Sequence, residues 1–117
     1  MDVIVCKERI MSVVVKPMLQ MIHEFGMDSY TDEDVALVQS ILNDFVEQLA
    51  ALRNPSDDQI MEQVRSVVLR LNELNEARDY FIETEEREWL WEAIQKSAED
   101  CGLKNAPSDV NEEWREW

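Results

Sequence analysis

At 117 residues, 45% hydrophobic and 32% charged, the chain is long enough for one packed domain and too short for two. Its formal net charge of -15, from 26 acidic against 11 basic side chains, opposes approach to phosphate backbones and to anionic lipid, so nucleic acid and membranes are excluded as expected partners. With 2 glycines and 3 prolines, glycine-rich phosphate loops are excluded and an all-β architecture is disfavoured.

The first helix is expected from Val3 to Phe25. Val3, Cys6, Ile10, Val14, Met18, Met21 and Phe25 recur at three- and four-residue steps. Pro17 lies inside, so the segment is kinked there or split in two, with Pro17 in the first turn of the second piece. The run Val13 to Val15 leaves an extended conformation open for residues 2–6 or 11–15. Ile4, Met11 and Val15 lie off the main stripe. A helix apolar on several sides is buried centrally or paired with another chain, which brings in a homodimer through this helix. Gly26 is the expected stop. Lys7, Glu8 and Arg9 break the apolar start and Asp2 stands where a basic residue would be needed, so no signal peptide is expected. The expectation is a cytoplasmic protein with Cys6 and Cys101 as free thiols.

Thr31 is the expected cap of a second helix, with Asp32, Glu33 and Asp34 in a first turn that favours anions. Val35, Val38, Leu42, Phe45, Leu49 and Leu52 form its stripe. Ser56 caps a third helix, with Gln59 completing a capping box. Ile60, Val64, Val67, Val68, Leu71 and Leu74 form its buried face, Leu69 points away, and the helix fades over residues 75–79. Thr84 is the expected cap of a fourth helix, followed by Glu85 and Glu86. Leu90, Ile94, Ser97, Ala98 and Cys101 line one face, with Trp91 at its edge, and Gly102 ends it. Asp109 or Asn111 would start a short last helix. The expected fold is therefore all-α: a compact bundle of four main helices in a single domain over 1–117, with 103–117 as a C-terminal tail whose short helix docks back on the bundle.

Catalytic signals are weak throughout. His23 is the single histidine, and Met27 stands where the second histidine of a zinc HExxH pattern would be. Read as a calcium loop from Asp28, the acidic stretch fails at Tyr30, Glu33 and Gln39. Glu83, Glu85, Glu86, Glu88 and Glu92 crowd one region. They read as a helix start with a solvated face, and a carboxylate-based cation site is the lesser alternative. No catalytic residue, cofactor or metal ligand is assigned, and the chain is expected not to be an enzyme.

All four tryptophans fall between 89 and 117. Trp89 lies outside the stripe of Leu90 and Ile94, so another segment is expected to cover it. Trp114 and Trp117, on one face of the tail, are the nearest candidates. Trp114 is expected to be the more buried of these two and Trp117 the more exposed. Arg115 is placed to stack on a ring or to pair with Glu112 or Glu116.

Residues 71–94 and 109–117 also resemble a family of small, uncharacterised bacterial proteins with an "IETxxRE" segment and an "EEWREW" ending. Ile82, Glu83, Thr84, Arg87 and Glu88 carry the first motif, with Phe81 and Glu85 departing from the family form, and Trp114, Arg115 and Trp117 carry the second. The resemblance implies a bacterial cytoplasmic protein and implies no activity. The candidate interaction residues are thus Glu83, Thr84, Arg87, Glu88, Trp89, Trp114, Arg115 and Trp117. The expected role is an interaction or regulatory module, of which an inhibitor of a basic protein partner is one form. A structural homo-oligomer is the alternative.

Overall fold

In a computed structural model the chain is described over residues 1–105 and 109–117. Among these residues it forms four helices and no strand. The first, α1, is one uninterrupted rod: α-helical Val3–Ile10, π-helical Met11–Val15 and α-helical Lys16–His23. The Asp2 carboxylate caps it, accepting from the Ile4 and Val5 amides at 3.0 and 3.2 Å.

Pro17 does not break this rod. It sits in the first turn of the last stretch, and the widened turn lies immediately before it. In α geometry its ring would meet the Val13 carbonyl one turn back. The π turn instead closes Lys16 N–H onto the Met11 carbonyl, five residues earlier. The same turn keeps the core in phase. Cys6, Ile10, Val14 and Met18 are all buried, yet four-residue steps at about 100° per residue drift by roughly 40° each. Over three steps that amounts to about one residue, which the π turn absorbs. The helical and π backbone over 3–15 overturns the extended alternative for residues 2–6 and 11–15.

The helix stops at His23, two residues short of expectation. Gly26 takes φ +68° and Met27 N–H closes on the Met21 carbonyl at 2.9 Å, which carries Phe25 off the stripe to 68% exposure.

Helix α2, Asp32–Ala51, starts with a reciprocal cap: Asp34 N–H donates to the Thr31 hydroxyl at 3.3 Å, and Thr31 N–H to the Asp34 carboxylate at 2.9 Å. Its expected stripe is buried from Val35 to Leu49, joined by Ile41 and Val46, while Leu52 falls just past the end in extended backbone. Helix α3, Asp57–Ala77, repeats the device with Ser56 and Gln59, and Leu69 is exposed as its phase requires.

The connector to α4 holds two consecutive left-handed residues, Asp79 and Tyr80. Buried Asn75 fixes them. Its carbonyl accepts from Tyr80 N–H at 2.7 Å, and its side-chain oxygen from Ile82 N–H at 2.9 Å. The turn so made delivers Phe81 and Ile82 to the core, where Phe81 meets Tyr30 edge-on.

Helix α4 is Thr84–Asp100, and its cap is Glu83 rather than Thr84. The buried Glu86 carboxylate reaches back to Glu83 N–H at 3.2 Å, which sets the helix start one residue earlier than the threonine suggested. Each helix packs on the next in chain order, and α4 closes the bundle against the π-helical stretch of α1. Among the described residues no helix is long and apolar enough to cross a membrane.

Candidate interaction cleft between the fourth helix and the tail

Residues 109–117 dock on the bundle, as the sequence suggests, but as a single turn over 110–114 and an irregular end rather than a helix. The turn begins at Asp109. One of its carboxylate oxygens accepts from Asn111 N–H at 2.9 Å and the other pairs with Arg115 at 2.7 Å. Arg115 N–H then closes on the Asn111 carbonyl at 3.0 Å. With Asp109 holding it, Arg115 does not take the Glu112 or Glu116 carboxylates as partners. Its guanidinium also lies 5.5 Å from the Trp117 ring centre, a cation–π contact.

Two amide side chains of the bundle hold this segment by its backbone. Asn72 of α3 uses both ends of its amide: the nitrogen donates to the Trp114 carbonyl at 2.8 Å and the oxygen accepts from Glu116 N–H at 3.1 Å. Gln95 of α4 accepts from Val110 N–H at 3.2 Å. Val110 and Asn111 are buried, and Trp114 and Trp117 both pack half-buried against the core. The indole nitrogen of Trp117 is shut off from solvent.

Between α4 and this segment lies a cleft of about 400 Å³ lined by Arg87, Glu88, Trp91, Asp109 and Arg115. Arg87 and Trp91 are one turn apart, so α4 presents both on one side. Of the candidate residues, Arg87, Glu88 and Arg115 meet here. Glu83 caps α4, and Thr84 is exposed in its first turn. Trp89 is half-buried against the core and does not line the cleft. The four tryptophans do not assemble into one stacked cluster, since the only ring pair among the described residues is Tyr30 with Phe81.

Sequence reasoning missed Asn72 and Gln95; Asp109, one of the two expected starts of the last helix, does begin the turn, and only its pairing with Arg115 was not expected. The signal was available in part. Asn72 lies four residues after Val68, and Gln95 four after Trp91, so each is a polar side chain near a buried stripe and needs a partner.

The lining offers two guanidinium forks, two carboxylates and an indole face, and among the described residues no histidine, serine or cysteine. His23 lies elsewhere, 2.8 Å from Asp32. Both cysteines are free. Burial pushes both thiols up, helped at Cys6 by the Asp100 carboxylate, so neither is an activated nucleophile. The carboxylates of the 83–92 region do not converge either. Glu86 turns into the core, where it accepts from the Tyr30 hydroxyl at 3.3 Å, and burial raises its pKa. Among the described residues, no three metal-ligating side chains come together.

Compared with known proteins, the chain matches no family model, no curated protein and no solved structure.

Proposed function

We propose that this protein is a non-enzymatic interaction module that binds a basic protein partner through the cleft between α4 and the tail. The observation that carries this reading is the lining itself. Trp91, Arg87 and Arg115 sit together at the surface, and tryptophan and arginine dominate the energetics of protein contacts. Glu88 and Asp109 line the cleft, and the tail segment that forms one side of it also carries exposed Glu112, Glu113 and Glu116, in a molecule of net charge -15 that attracts a basic surface. An inhibitor that neutralises a basic protein is one form of such a module. The family resemblance of residues 82–88 and 114–117 supports a bacterial cytoplasmic setting.

The test is capture of a basic protein from the native host on the immobilised chain, at low and high salt, with Trp91→Ala alongside. The reading requires a retained basic protein that is lost with Trp91→Ala and weakened by salt. Capture that ignores both changes would remove it. A second reading, a homodimer through α1, is favoured by one observation: Ile4 is 70% and Val5 47% exposed on its first turns. Light scattering of the wild type and Ile4→Glu decides it, since a monomer mass for both ends the dimer.

A further inference from the structure

We propose that the cleft between α4 and the tail is a binding site for a free aromatic α-amino acid, held by its carboxylate on Arg87, its ammonium on Glu88 and its ring on Trp91. The five lining side chains do not contribute equally. Asp109 and Arg115 are committed to each other at 2.7 Å, with side chains only 22% and 19% exposed, and the Arg115 guanidinium also lies against the Trp117 ring. That pair forms one wall. Arg87, Glu88 and Trp91 are what the cleft offers to a ligand.

Arg87 sets the first requirement. Arg9, Arg65, Arg70, Arg78 and Arg115 each hold a carboxylate, and Arg53 stands exposed in water. Arg87 is half-buried and, among the described residues, has no ion pair, in a chain with 26 acidic side chains to draw on. A guanidinium fork at the edge of a cleft binds a carboxylate through two parallel bonds. Its sequence neighbour Glu88 does not supply that carboxylate, because adjacent helical side chains point about 100° apart. Both still line the cleft. On the helix face Trp91 falls between them, about 40° from Arg87 and about 60° from Glu88.

Charge selects the ligand. A net anion is repelled by a protein of net charge -15, and a simple cation leaves Arg87 unanswered. A zwitterion has no net charge and presents both signs one carbon apart, so its carboxylate meets Arg87 and its ammonium meets Glu88. Trp91, lying between, receives the side chain, and a planar ring stacks on the indole face. The volume of about 400 Å³ is at the small end of ligand clefts and suits a molecule of this size. This inference does not rest on the proposed basic partner. Salt weakens a basic protein at an acidic surface, whereas a neutral zwitterion binds almost independently of salt.

The experiment titrates the nitrogen-15-labelled full chain with L-phenylalanine and reads the Trp91 indole and Arg87 side-chain N–H signals. Two analogues run alongside: 3-phenylpropionate, which lacks the ammonium, and phenethylamine, which lacks the carboxylate. L-phenylalanine is expected to shift both signals, with each analogue weaker by about tenfold, the scale of one charge-assisted hydrogen bond. Arg87→Gln should abolish the preference over phenethylamine, and Glu88→Gln the preference over 3-phenylpropionate. The analogue comparison on the wild type stands without either variant, so a variant that fails to fold does not protect the inference. No shift at millimolar L-phenylalanine overturns it. Phenethylamine binding as tightly as the amino acid also overturns it, leaving a plain cation site that the basic partner alone would use. A preference that survives Arg87→Gln in a folded variant does the same.

Discussion

Glu86 is 1% exposed, yet it is not left without partners: Glu83 N–H and the Tyr30 hydroxyl both donate to it. Burial still outweighs those bonds and raises its pKa, while Tyr30, buried beside it, is raised too. The sign follows from linkage. A carboxyl with a raised folded pKa favours the fold most below its ordinary value of 4.5, and that contribution is lost as pH climbs through the raised value. Asp57 acts oppositely: the Lys104 and Asn105 amides lower its pKa, so its contribution is present at neutral pH and lost on acidification. Glu86→Gln keeps the size and the acceptor for Glu83 N–H, turns an amide N–H toward the Tyr30 oxygen, which can accept it, and removes the charge at every pH. It is expected to stabilise the protein at pH 7 by about 1 kcal/mol, the usual scale of a single polar change. Thermal melts at neutral pH and near the ordinary carboxylate range check this: the gain should close as pH falls. A variant less stable than wild type at pH 7 would mean that the ionised carboxylate is preferred in place.

The elements show where sequence patterns carry structural information and where they stop. The stripes of α2 and α3, the Thr31 cap and the Ser56–Gln59 capping box were legible because the signals are local: a hydroxyl placed three residues from the amide it caps. The start of α4 was off by one residue, because the capping side chain, Glu86, is chosen by burial against Tyr30, 56 residues away in sequence. The tail's docking was legible from its tryptophans, but its anchors were not, since one Asn amide facing a backbone leaves no periodic trace. In α1 the π turn answers to the four-residue spacing from Cys6 to Met18 as much as to Pro17, whose ring by itself indicates only a kink or a split. This makes a prediction. Proline inside an α-helix costs about 3 kcal/mol, and the π turn already relieves most of that clash. Pro17→Ala should therefore raise stability in urea melts by under about 1 kcal/mol, with unchanged helical circular dichroism. A gain near the full cost would show that the ring is strained where it sits. The tail gives a second. Removing residues 111–117 strips two half-buried tryptophans and the Asn72 bonds, so a loss of about 2–3 kcal/mol is expected in the same melts. An unchanged melt would mean that the segment is not held.

At the scale of the whole molecule, two electrostatic effects oppose each other. Ion pairs connect the elements: Lys7 with Glu47, Arg9 with Asp100, Arg70 with Asp44, and Arg78 with Asp34. Salt weakens each of them. Most involve partners well exposed to water, and such pairs are worth about 0–1 kcal/mol apiece. The Arg78 contact, with an Asp34 side chain only 7% exposed, is the least open to screening. Against them stands the repulsion of 26 carboxylates opposed by 11 cations, summed over a molecule whose longest dimension is 44 Å. That repulsion falls away as the Debye length shrinks from about 30 Å at 0.01 M salt to about 10 Å at 0.1 M. The unfolded chain is more expanded and repels itself less, so screening helps the folded state more. Repulsion is the larger sum here, because it acts among all the unpaired acids while the pairs are few and weak. The melting temperature is accordingly expected to rise between about 0.01 and 0.1 M sodium chloride. Repeating the melt with Arg78→Gln separates the two effects, since that chain keeps the salt-dependent rise but starts from a lower temperature. A melting temperature that falls with salt in the wild type would assign the stability to the ion pairs instead, and the acidic surface would then be held together by its few cations rather than merely tolerated.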